Sequence, residues 1–401
     1  MDMNYKTYPI ADLIDEIAMG PFGSNIKVDC FVDKGIPVLN GSNLEGFELS
    51  EKSFRYVTEE KADSLKKANA YKGDVVITHR GTLGQIVYIP QTAQRDRYVI
   101  SQSQFRVKCN KKVLPEYFVY YFHTPIGQHK LLSNASQVGV PALARPSSTF
   151  QKIEIEIPDL ETQKKVVKLI GSLQTRIKTN AEINDNLYEM VNAYYTSLFR
   201  ENDCEMTTVG NYAERIYSGG TPMTSNAAYW NGTFGWFSSG ETRNRFVIST
   251  EKTITQAGID NSSTKLATKY DIVMASAGQG FTRGQISMLL IDTYVNQSVI
   301  VIKSERNILP YLFWNLVNRY DELRAISDSS SIRGSLTTKM IAAFEIPLAN
   351  EQSLQAFADF AWSVIPQIEN NLLENERLTA LRDSLLPKLM SGEIDVTDIQ
   401  L

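Results

Sequence analysis

Two glycine-flanked loops carry the residues best suited to touching a nucleic acid. His79, Arg80, Gly81 and Thr82 follow the β-branched run at 75–78, and Gln279, Thr282 and Arg283 lie in the longer glycine loop after Ile272–Ala275. A guanidinium fits the paired acceptors of guanine and a carboxamide fits adenine, while hydroxyls and backbone amides suit phosphate oxygens. Two further turns, 20–27 and 218–225, present Ser24, Asn25 and Lys27 in one case and Thr221 and Ser225 in the other. Asn43 follows the Asn40-Gly41 turn, and Thr242-Arg243-Asn244-Arg245 follows the Ser239-Gly240 turn. Arg145 and Arg333 stand in Ser/Pro/Gly-containing loops before the last strand of each half. The two glycine loops and the 241–245 run read equally well as a solvated turn or a surface ion-paired loop, and the turns at 20–27 and 218–225 read somewhat better as plain structural turns.

Catalytic chemistry is harder to find. Neither glycine turn has the GxxxxGK[ST] order of a phosphate-binding loop, and no GxGxxG follows a strand. No Pro-Pro dipeptide exists, so an NPPY-type methyltransferase loop is absent. Pro158-Asp159 is not followed at a suitable distance by Glu-x-Lys, as a common nuclease constellation would require. His79, His123 and His129 form no ligand-spaced group, which predicts no structural metal. Cys30, Cys109 and Cys204 are far apart and read as reduced. Two rivals remain to be weighed against a binding role, a standalone DNA-modifying enzyme and a coiled-coil scaffold that binds no DNA.

Composition is that of an ordinary globular protein, 43% hydrophobic and 21% charged. The start of the chain has no apolar signal core, and no run approaches the roughly 18 apolar residues of a membrane helix, so a cytoplasmic location is expected. The net charge of −4 argues against a simple basic DNA coat, but it is unevenly placed. Residues 1–158 carry 19 basic and 17 acidic groups, and residues 204–347 carry 13 and 12. The acidity lies at 159–203 (net −1) and 348–401 (net −6), leaving two mildly basic parts compatible with a nucleic-acid partner.

Those loops are positioned by elements that occur twice. Ile155-Glu156-Ile157-Pro158 followed by Glu161-Thr162-Gln163 returns as Phe344-Glu345-Ile346-Pro347 followed by Glu351-Gln352. Ile17-Ala18-Met19-Gly20 matches Ile216-Tyr217-Ser218-Gly219, Asn40-Gly41 matches Ser239-Gly240, and Asp74-Val75-Val76-Ile77 matches Asp271-Ile272-Val273-Met274. Gln102-Ser103 and Leu114-Pro115 match Gln297-Ser298 and Leu309-Pro310. Short strands are predicted at 75–78, 84–89, 105–108 and 153–157, with counterparts at 272–275, 285–290, 299–302 and 343–346. Helices are predicted after Pro115 and Pro310, where proline suits a first turn. Each globular half is therefore α+β.

After each half comes a long heptad segment. Val166, Ile170, Leu173, Ile177, Asn180, Asn184, Leu187, Val191, Tyr194 and Leu198 keep strict 4-3 spacing. Their counterparts are Phe357, Ala361, Val364, Ile368, Asn371, Asn375, Leu378, Arg382, Leu385 and Leu389. Such seams need a partner helix, and buried asparagines fix register. Because each seam is near-symmetric about its asparagine pair, the two helices are predicted to pair antiparallel, asparagines against asparagines. Pro366 should kink or interrupt the second helix early. About 39 helical residues span about 60 Å, a length that would carry the two halves at opposite ends about a pseudo-twofold axis.

The whole chain resembles the specificity subunits of type I restriction-modification systems. The likeness rests on the doubled Ile-Pro/Gln lead-in to a long helix, on GDVVITHRGTLGQ and YDIVMASAGQGFTRGQ, and on the GPFGS and SGGTP turns. It implies two target recognition domains, 1–158 and 204–347, each followed by a spacer helix, 159–203 and 348–401. It further implies that each domain reads one half of a split, asymmetric DNA site. The partners implied are double-stranded DNA, two methyltransferase subunits docked on the outer helix faces, and restriction subunits. S-adenosylmethionine, ATP and Mg would then belong to those partners, leaving this chain without a cofactor and non-catalytic.

Overall fold

The repeat read in the sequence is a repeat of strand order in space. A computed structural model describes residues 5–21, 23–136, 139–199, 205–278, 280–329 and 334–396. The first copy runs β1 (Ile14–Met19), β2 (Asp74–Thr78), β3 (Ile86–Tyr88) and β4 (Gln104–Cys109), then α1 (Pro115–Phe122) and α2 (Leu160–Leu198). The second runs β5 (Ala213–Ser218), β6 (Phe246–Val247), β7 (Ile272–Ala275), β8 (Ile286–Leu289) and β9 (Val299–Ser304). After it come α3 (Leu309–Asn318), α4 (Tyr320–Ser329), the short helix Thr338–Ala342 and α5 (Glu351–Ser391).

The main sheet of the first copy has the order β1-β4-β2-β3, and that of the second β5-β9-β7-β8-β6. In both, the central hairpin strand is fully buried, because Val75–Ile77 and Ile272–Ala275 present apolar residues to both faces. Each copy adds a second four-stranded sheet that the sequence reading missed. One is Arg55–Val57, Ile36–Val38, Arg97–Val99 and Asn69–Tyr71; the other is Lys252–Ile254, Trp230–Phe237, Thr293–Val295 and Lys265–Ala267. Most of these strands are three residues long, too short for alternation to register. Lys6–Pro9 pairs with Glu154–Ile157, and Met206–Thr208 with Glu345–Pro347, so each copy's last strand meets its first.

Contacts divide the chain into two units, 1–176 with 378–401, and 177–377. The boundaries pass through both long helices, so each unit holds part of each helix. In the first unit, Val75, Ile77, Phe118 and Phe122 pack with Ile170 of α2 and with Leu386, Leu389 and Met390 of α5. Tyr5 Oη donates to the Leu389 carbonyl (3.0 Å). In the second unit, Ile272, Met274 and Trp314 pack with Tyr188 and Val191 of α2 and with Phe357, Val364 and Ile368 of α5.

The helices pair antiparallel, asparagine to asparagine. Within the second unit Asn180 lies against Asn375 and Asn184 against Asn371, while Leu187 covers the core beside them. Within the first unit, Arg382 Nη1 donates to Gln174 Oε1 (3.0 Å), and Leu385 packs on the core. Leu173, Ile177 and Leu378 are half-buried seam positions. Pro366 does not interrupt α5, which is helical from Glu351 to Ser391. Proline costs a helix interior about 3 kcal/mol. Burying Val364, Ile365 and Ile368 around it outweighs that, at about 1.5–3 kcal/mol for each side chain.

Candidate nucleic-acid interface

At one end of the first sheet, four loops are tied together through the backbone. The His79 N–H donates to the Ser103 carbonyl (2.9 Å), the Leu143 N–H to the His79 carbonyl (2.9 Å), and the Gly20 N–H to the Gln104 carbonyl (2.8 Å). The second unit repeats the frame. There the Ser276 N–H donates to Ser298 (2.9 Å), the Leu336 N–H to Ser276 (2.8 Å), and the Gly219 N–H to Asn296 (3.2 Å). A Cβ on Gly20 would stand 1.9 Å from the Ser101 oxygen, and one on Gly219 1.9 Å from the Val295 oxygen. Both turns thus need glycine for close approach of backbone.

The aspartates of the GDVV and YDIV segments belong to the scaffold. Asp74 Oδ2 accepts the Tyr71 N–H (3.0 Å) and meets Arg106 Nη1 (3.2 Å); Asp271 Oδ2 accepts the Thr268 N–H (2.8 Å). Burial pushes both carboxyls up, opposed at Asp74 chiefly by the Arg106 charge and at Asp271 chiefly by the Thr268 amide.

What the frame displays differs between units. In the first, Asn25, Lys27, Arg80, Thr82 and Arg145 are exposed. Neither Arg80 nor Arg145 forms an ion pair with a described carboxylate. Arg145 holds a left-handed backbone (φ 47°) as it leads into the short helix Pro146–Phe150. His79 is half-buried, and its Nε2 lies 3.1 Å from the Gln102 carbonyl. Burial lowers its pKa, and the Arg80 charge acts in the same direction. Ser24 lies in the short 3-10 turn Gly23–Asn25.

Several expected contacts turn out to be structural. Asn43 is fully buried; its amide donates to the Ser50 (2.9 Å) and Lys52 (2.7 Å) carbonyls, and its Oδ1 accepts the Asn40 N–H (2.9 Å). This capping box of Asn40 and Asn43 is repeated by Ser238 and Glu241, so the two turns align one residue off the Gly41/Gly240 match. Thr242 is also buried, its hydroxyl donating to the Ser239 carbonyl (2.7 Å). Arg283 is clamped between the Asp328 carboxylate and the Gly334 carbonyl. A buried polar group must find a partner within the protein, and Asn43 and Thr242 have done so.

In the 242–245 turn three candidates are exposed, two of them already engaged. Arg243 is paired with Glu251, and Arg245 lies over the Tyr188 ring (4.1 Å) with Asp185 at 4.0 Å, lining a cleft of about 530 Å³ between that turn and the helix pair. Asn244 is exposed beside them. Thr221 Oγ1 is bonded to Gln297, Ser225 is exposed and Thr282 half-buried. Gln279 and Arg333 lie outside the described residues. By its place ahead of the short helix Thr338–Ala342, Thr337 is the counterpart of Arg145. Composition offered little signal for this, because the cap residues themselves differ in type and the two lead-ins share only Leu143 and Leu336.

Residues 6–189 and 203–376 each match the family model described as the type I restriction modification DNA specificity domain. The chain belongs to that family of specificity subunits. It is 21% identical over 409 residues to the HindI specificity subunit of Haemophilus influenzae, covering 80% of this chain and 87% of that one. It is 20% identical over 412 residues to the MjaIX specificity subunit of Methanocaldococcus jannaschii, covering 96% and 93%. The crystal structure of a type I S subunit from M. genitalium has the same fold, with a TM-score of 0.60 at 16% identity over 97% of this chain and 96% of that one. In this specificity subunit each matched segment holds one copy of the four-loop frame. Among the described residues no helix is long and apolar enough to cross a membrane.

Proposed function

We propose that this chain reads a bipartite, asymmetric DNA site, each unit taking one half-site. The observation that carries the reading is one backbone frame built twice and filled differently. Arg80 follows His79 where Ala277 follows Ser276, and Arg145 stands where Thr337 stands. A shared frame presents backbone and hydroxyl groups to phosphates, and the side chains that differ select bases. Two different fillings call for two different half-sites. Among the candidates of the first unit, the exposed Lys27, Arg80 and Arg145 carry positive charge.

Selection of the site would be this chain's whole contribution. Methyl transfer and cleavage would fall to methyltransferase and restriction subunits in the cytoplasm, which would also hold S-adenosylmethionine, ATP and Mg. Support comes from membership of a family defined by specificity. The test is to co-express the chain with its methyltransferase subunit and map modified bases by long-read sequencing. A split motif that needs both proteins is expected. No new methylation from an assembled complex would overturn the reading.

A further inference from the structure

The two copies of the frame differ most at one loop tip. Both loops are closed in the same way, the Thr78 N–H donating to the Gln85 carbonyl (3.0 Å) and the Ala275 N–H to the Gln285 carbonyl (2.9 Å). Both end on a glycine in the left-handed region, Gly84 (φ 89°) and Gly284 (φ 85°). Between these points the first unit spends residues 79–84 and the second 276–284, which is three residues more. In the first unit Leu83 packs back on the core. In the second, Phe281 stands out, the residue being 81% exposed.

The loop carrying that ring is fastened from α4. Tyr320 Oη donates to the Phe281 carbonyl (2.7 Å), Arg324 Nη1 to the Gly280 carbonyl (2.5 Å), and Arg283 Nη1 to the Gly334 carbonyl (2.5 Å). Arg283 also pairs with Asp328. Fixing a backbone this firmly while leaving its phenyl ring in water costs apolar burial and gains the fold nothing. It is the arrangement of a preorganised probe, whose ordering is complete before a ligand arrives.

We propose that Phe281 is a specificity-determining residue of the second unit, its ring wedging against the base stack of the half-site bound there. The inference rests on the DNA-reading function above. A phenyl ring offers no hydrogen bond, so it selects by stacking and by how readily a base step opens, as apolar wedges do. Its loop belongs to the frame whose first copy displays the exposed Arg80.

The test uses the complex with its methyltransferase subunit. The methylome of the wild-type complex supplies the split motif, and duplexes are then made with 2-aminopurine stepped through the second half-site. Binding of wild type should raise fluorescence at one step. Phe281→Ala should abolish that rise and weaken cognate binding by about 10- to 100-fold. Binding to unrelated duplex, its salt dependence and the first half-site should not change, and Phe281→Trp should retain the fluorescence rise. Cognate affinity and motif unchanged in Phe281→Ala would overturn the wedge while leaving the DNA-reading function intact. Weakened assembly with the methyltransferase and unchanged DNA binding would overturn it in favour of a protein contact. A wild-type complex with no motif at all would remove both readings.

Discussion

The carboxamide of Asn180 donates to Asn375 Oδ1 across the helix pair (2.9 Å), and Asn375 in turn donates to the Ile177 carbonyl (3.0 Å). Asn180 is buried, and the Asn371 amide donates to Asn184 Oδ1 (2.8 Å) one turn along. Only one antiparallel register satisfies all four asparagines at once, so the polar layer sets the alignment of the helices.

Replacing one member of that layer should therefore be worse than replacing two. Asn180→Leu leaves Asn375 Oδ1 without its donor and should cost about 1–3 kcal/mol in urea unfolding. Asn180→Leu with Asn375→Leu should recover much of the loss. A double variant as unstable as the sum of the singles would show that the pair is not coupled.

Arg145 sets stability against affinity. Its left-handed backbone costs an L-residue about 1–2 kcal/mol, which Arg145→Gly would relieve in part. The same change removes an exposed guanidinium. The slope of log K against log salt should fall in magnitude by about one if it contacts phosphate. A higher melting temperature with an unaltered salt slope would separate the strain from DNA binding.

Acid should loosen the first unit through its histidines. Burial lowers the pKa of both His79 and His123, whose Nε2 lies 2.8 Å from the Ile86 carbonyl. The folded chain then binds fewer protons than the unfolded chain, so stability rises with pH up to the ordinary histidine value of about 6.5 and is level above it. Unfolding free energy should drop as pH falls from about 6.5, and His79→Gln with His123→Gln should flatten that drop. An equal slope in wild type and variant would assign the acid sensitivity to other groups.

The glycines of the repeated turns are not interchangeable. Gly219→Ala drives a methyl group into the Val295 carbonyl and should cost about 1–3 kcal/mol or more. Gly240→Ala, with nothing within 4 Å of the new carbon, should change stability by less than about 0.5 kcal/mol. Similar losses from both would contradict the close approach as the reason for Gly219.

The sequence by itself determined the duplication, the buried hairpin strands and the antiparallel seam. Each of these is written in local periodicity or in a motif that occurs twice, and strand positions at 75–78 and 272–275 needed no knowledge of distant neighbours. Tertiary structure alone decided which polar residues were free. Arg80 and Arg283 look alike in a glycine loop, yet only Arg283 has an Asp328 within reach, 45 residues along the chain. Asn43 and Asn25 look alike in turns, yet burial turns one into a cap and leaves the other in water. Nor could the sequence tell that Leu386 and Leu389, near the end of the chain, complete the core begun by Val75 and Ile77. Periodicity shows that a helix face needs a partner; which surface supplies it depends on contacts far apart in sequence, and those exist only once the chain has folded.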